Sequence, residues 1–107
     1  MHRRELKEYL QIGATVSISR DIERICHAAK IGFCPTMALL YKNTEAIIVQ
    51  NESAYLVLND GEFSYGHVTI LADGNRWVIP VNAIVTINSL PFFPEKLLQK
   101  HVTRRWR

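Results

Sequence analysis

From Ala46 to Ile87 the chain reads as short apolar runs, each cut off by residues suited to tight turns. Ala46-Ile47-Ile48-Val49 is followed by Asn51-Glu52, and Tyr55-Leu56-Val57-Leu58 by Asn59-Asp60-Gly61. Tyr65 to Ala72 is followed by Asp73-Gly74, and Arg76-Trp77-Val78-Ile79 by Pro80, a turn at Asn82-Ala83 and a last run, Val85-Thr86-Ile87. β-Branched and aromatic residues dominate these runs, which marks them as strands. Asp-Gly between two such runs is a strong hairpin signal, because both residues tolerate positive φ. Strands this short and this regularly punctuated predict a mainly β domain, closed as a small barrel rather than opened as an α/β sheet.

Shorter elements flank this region. Leu6, Tyr9 and Leu10 recur at helical spacing within Arg3 to Gln11, which predicts an N-terminal helix ending near Gly13. Ala14 to Ser19 alternates small or polar with apolar residues, as a half-buried strand does. Asp21 is placed to cap a helix through Ile22, Ile25 and Ala29, and Pro35 to open a helical piece carrying Met37, Leu39 and Leu40. Pro91 and Pro94 set off a final helical segment, Glu95 to Trp106. The expected fold class is thus mainly β with short flanking helices. Residues 1–90 form the barrel with its N-terminal helix, and residues 91–107 form a basic extension packed on it or on a partner. The expected core is Val16, Ile18, Ile47, Val49, Leu56, Leu58, Val68, Ile70 and Ile79, with Phe93 and Leu97 anchoring the extension.

The order of features resembles a known pattern. Ile12-Gly13, Val16, Ile18 and Asp21 open it, followed by Met37, Tyr41-Lys42-Asn43 and Ala46-Ile47-Ile48. Tyr55, Leu58 and Asp60-Gly61 come next, then Trp77, Pro80, Ala83 and Ile84. This is similar to the small SH3-like barrels related to the repeat domain of mind bomb ubiquitin ligases, over roughly residues 12–85. Compact proteins of this type are frequent in phages and mobile elements. Asn43 stands where that pattern has Gly, and Asn also reaches the left-handed region. The resemblance implies a binding barrel with peptide grooves between its loops, and it carries no catalytic residue.

Composition narrows the function classes. Of 107 residues, 48% are hydrophobic and 21% charged, which excludes disordered, collagenous and disulfide-scaffold chains. No apolar run approaches the length of a membrane span. The charged opening Met1-His2-Arg3-Arg4-Glu5 has no signal-peptide apolar core, so the expected location is the cytoplasm. Between Asn43 and Asn75 there is no Lys or Arg, while Glu45, Glu52, Asp60, Glu62 and Asp73 are all acidic. From Lys96 onward the sign reverses, through Lys96, Lys100, Arg104, Arg105 and Arg107. Such asymmetry suits two surfaces with different partners, or one surface meeting its copy in another subunit.

Catalytic chemistry finds little support. Cys26 and Cys34 have neither the close spacing nor the second downstream pair of a zinc site, so free thiols and no metal are expected. Cys34 with His67, or Cys26 with His27, are the available nucleophile–base pairs, and no motif accompanies either. No Gly-rich phosphate loop or other cofactor signature is present. The acidic strands also argue against toxin-like ribonuclease chemistry, which needs cations beside a general base. A protein-binding, non-enzymatic reading uses Tyr55, Tyr65 and Trp77 beside Asp60 and Glu62, aromatics a small barrel cannot wholly bury. The alternative is nucleic-acid association through Lys100, Arg104, Arg105, Trp106 and Arg107, with His101 among them and Arg3, Arg4 and Lys7 as further cations.

Overall fold

The computed structural model describes residues 2–42 and 45–98. Among these the chain is mainly β, with strands in two antiparallel sheets. The smaller sheet joins β1 (His2–Glu5), β4 (Tyr55–Asn59) and β5 (Glu62–Tyr65) in the order β1-β4-β5. The larger holds β2 (Thr15–Ile18), β3 (Ala46–Gln50), β6 (His67–Ala72), β7 (Asn75–Pro80), β8 (Ile84–Ile87) and β9 (Leu90–Pro91). Its order is β7-β6-β3-β2-β8-β9. Helix α1 (Ile22–Ala29), a 3-10 helix at Pro35–Lys42, a 3-10 turn at Val81–Ala83 and a helix from residue 94 complete the described chain.

Local chemistry sets the two hairpins. Asp60 and Gly61 adopt φ of 52° and 79°, and Asp73 and Gly74 adopt 53° and 75°, the paired positive φ of a type I′ turn. Those turns fix Asn59 opposite Glu62 and Ala72 opposite Asn75, and the ladders follow from there. Pro80 ends β7, and its missing N–H falls on the open side of this edge strand.

Four expectations about the sheets and their strands are corrected. The sheets do not close into a barrel: they are two separate ladders, and among the described residues the edge strands β1, β5, β7 and β9 pair on one side only. The predicted N-terminal helix is instead strand β1, paired with β4 from His2↔Leu58 to Glu5↔Tyr55. The helical spacing survives as one turn, in which the N–H groups of Tyr9 and Leu10 donate to the Leu6 carbonyl and Leu6 and Leu10 are fully buried. The single strand predicted from Tyr65 to Ala72 is divided at Gly66, where the chain passes from the small sheet to the large one. In β3 the buried phase is Ala46 and Ile48, leaving Ile47 exposed and Val49 half-buried.

The rest of the expected core holds. Val16, Ile18, Leu56, Val68, Ile70 and Ile79 are buried, and Leu58 is half-buried. Helix α1 adds Ile22, Ile25 and Cys26, and ends in the left-handed conformation at Lys30. Asp21 is its N-cap residue, although its side chain makes no capping hydrogen bond. Near the C-terminal end Phe92 is buried and Phe93 is exposed, the reverse of the expected anchor. Lys96 lies over the Phe93 ring at 4.5 Å. Leu98 is buried and Leu97 half-buried against the same core.

Candidate interaction surfaces

Backbone register decides which candidate side chains share a surface. In the small sheet Leu56 lies opposite Tyr65, Val57 opposite Ser64 and Leu58 opposite Phe63. Residues directly opposite point the same way, so Leu56, Leu58, Phe63 and Tyr65 share one face. Tyr55 belongs to the other face, with Val57, Ser64, Glu62, Arg3 and Glu5. The two tyrosines expected to act together therefore stand on opposite sides of one sheet. Asp60 is exposed at the hairpin tip, beside Glu62. Trp77 lies on β7 of the other sheet, opposite Ile70.

Each aromatic is already engaged within the chain. The Arg3 guanidinium sits 4.4 Å above the Tyr55 ring centroid, and its Nε donates to Glu5 Oε2 at 2.7 Å. Tyr65 donates its hydroxyl to the Glu95 carboxylate. Burial, and then the neighbouring Glu95, push the Tyr65 pKa up from its ordinary value. Trp77 is half-buried against the core, and its Nε1 donates to the Ala72 carbonyl at 3.1 Å. It serves chiefly as a plug closing the β6–β7 hairpin over the core.

The basic candidates divide similarly. Lys100, His101, Arg104, Arg105, Trp106 and Arg107 lie outside the described residues, as do Asn43 and Thr44. Arg3 is committed to Glu5 and Tyr55, while Arg4 reaches Glu8 at 3.3 Å and the Tyr9 hydroxyl at 2.6 Å. Neither arginine of β1 is a loose cation awaiting a phosphate.

Among the described residues no hydrogen bond joins either cysteine to a histidine. Cys34 is exposed, and hydrogen bonding to Thr36, first through its hydroxyl and then its backbone N–H, lowers the thiol pKa. The Cys34 N–H donates to Met37 Sδ at 3.3 Å, so its described partners are Thr36 and Met37 rather than a base. Cys26 is buried in α1, and burial raises its pKa. His27 turns outward and meets Phe33 edge-on, with centroids 5.9 Å apart. His67 is exposed at the start of β6. Among the described residues no three His, Cys, Asp or Glu side chains converge as metal ligands, and no helix is long and apolar enough to cross a membrane.

Sequence reasoning passed over a different surface. Ile47 on β3 lies directly opposite Leu71 on β6, and Val78 on β7 stands one diagonal step further along the same face. All three are exposed, at 37%, 39% and 44%. They form one apolar row across three neighbouring strands of the large sheet. The alternation of β6 already turns Leu71 outward; the missing signal was the phase of β3, which an unbroken apolar run does not reveal. No family model, curated protein or solved structure matches the chain.

Proposed function

We propose that this chain is a non-enzymatic binding module acting through protein contacts, with a second copy of itself as the first partner. The row Ile47, Leu71 and Val78 carries this reading, because contiguous apolar side chains on an open sheet are a common site of protein association. The row ends on an edge strand, β7, which lets a partner's contact extend onto backbone. The distribution of charge, acidic from Glu45 to Asp73 and basic from Lys96 onward, supplies opposite signs for two copies to match. The SH3-like relationship and the phage or mobile-element character are supported by the residue pattern alone, from Gly13 and Val16 through Trp77 and Pro80 to Ile84.

The test is sedimentation velocity across a concentration series, comparing the native chain with Leu71→Glu. Concentration-dependent association that Leu71→Glu abolishes supports the reading. Nucleic-acid association through the basic residues from Lys100 to Arg107 is the second reading, favoured by their charge density together with Trp106. Titration with DNA and RNA at low and moderate salt tests it, since phosphate contacts weaken steeply as salt rises.

A further inference from the structure

The second open edge of interest is β5, the outer strand of the small sheet. Asn59 and Glu62 close a two-residue turn, so their backbone groups pair with each other, and pairing toward β4 then recurs at every second residue. The sequence continues at Gly66, whose N–H donates to the Tyr55 carbonyl at 2.9 Å. Glu62, Ser64 and Gly66 thus bond inward, while the N–H and C=O groups of Phe63 and Tyr65 point away from β4. Two donors and two acceptors in strand geometry face the open side.

Along that side runs a groove of about 260 Å³. Ile25, Ala28, Ala29 and Lys30 of α1 and its cap form one wall, and Phe63 and Tyr65 form the other. Such a volume falls below the usual range for a small-molecule pocket and suits one or two inserted side chains. Asn82 also lines it, and its Oδ1 is buried with no hydrogen-bond partner among the described residues. Asp60 and Glu62 are exposed at the hairpin end of β5, and Glu95 is bound to Tyr65 at the other, while Lys30 is the one cation lining the groove among the described residues. The described carboxylates at the two ends of β5 outnumber the described cation of the groove.

We propose that the groove between β5 and α1 is a strand-addition site for an extended, basic segment of a partner protein. The segment's backbone would pair with Phe63 and Tyr65. An apolar side chain would lie against Ile25, Ala28 and Ala29, and cationic side chains would face Asp60 and Glu62. Backbone pairing gives such a site its affinity, and the groove and the carboxylates give it preference. It lies apart from the row on the large sheet, so it stands or falls independently of self-association.

The experiment titrates the full-length, isotope-labelled protein with a blocked heptapeptide of alternating arginine and valine, following backbone amide shifts. Saturable shifts at Phe63, Tyr65, Ala29 and Lys30 are expected. A matched peptide with N-methylated valines, or with glutamate in place of arginine, should bind at least about tenfold more weakly. Ala28→Arg places a bulky cation at the mouth of the groove and should abolish binding at an unchanged melting temperature. Absence of binding, equal binding of the N-methylated peptide, or shifts confined to Ile47, Leu71 and Val78 would each overturn the strand-addition site. The last of these results would leave the binding-module reading standing.

Discussion

Gly66 passes so close to Ser53 that a Cβ built on it would stand 1.8 Å from the Ser53 carbonyl oxygen. The next residue uses that oxygen, as the His67 N–H donates to it at 2.9 Å. Gly66 and His67 together turn the chain from one sheet to the other while keeping both ladders bonded. Any side chain at residue 66 must push backbone against backbone. Gly66→Ala should therefore cost about 3 kcal/mol, at the upper end of overpacking effects. Gly61→Ala meets no neighbour and suffers only its left-handed φ, so it should cost about 1–2 kcal/mol. Urea denaturation of the two variants checks the ordering.

The phase of β3 gives a second prediction. Ile48 is fully buried and Ile47 is 37% exposed. Ile48→Ala should destabilise by about 2–5 kcal/mol through lost burial and the cavity left behind. Ile47→Ala should stay within about 1 kcal/mol. A larger loss from Ile47→Ala than from Ile48→Ala would place β3 in the opposite register.

These two sites show what was legible in the sequence. Asp60-Gly61 and Asp73-Gly74 encode positive φ locally, so both hairpins could be read directly. Counting outward from Asp60-Gly61 also sets Tyr65 opposite Leu56, which already separates Tyr55 from Tyr65. The phase of Ala46-Ile47-Ile48-Val49 could not be read, because both alternations are apolar and the choice falls to neighbouring strands. Strand β1 was hidden for another reason. His2–Glu5 is charged, its partner Tyr55–Leu58 lies some fifty residues away, and the helical spacing of Leu6 and Leu10 is satisfied by a single turn. The crossing at Gly66 depends on its distance to Ser53, which no local pattern records.

A third prediction follows from Tyr65. Its pKa is raised in the folded chain, above the ordinary value of 10.0. The protonated form is thus favoured by folding, and its contribution is fully present below pH 10. As pH rises further, the unfolded chain loses this proton first and stability falls. Tyr65→Phe should flatten that alkaline decline. Thermal melts from pH 8 to pH 11 measure it, and an unchanged slope would remove Tyr65 as its source.

The thiols give a fourth. Cys34 is exposed with a lowered pKa, whereas Cys26 is buried with a raised one. A thiol reagent should label Cys34 in the native protein and reach Cys26 only in denaturant. Mass spectrometry of the labelled peptides checks this, and native labelling of Cys26 would mean that α1 opens readily.

The central claim is that the apolar row of Ile47, Leu71 and Val78 brings copies of this chain together. Sedimentation velocity on the native chain and on Leu71→Glu tests it most directly. Leu71 lies on the exposed face of β6, so the substitution should leave the fold intact while placing a charge within the contact. The native protein is expected to sediment progressively faster with concentration, and Leu71→Glu to remain monomeric at every concentration. A native chain that stays monomeric throughout, or a Leu71→Glu variant that associates equally well, would contradict it.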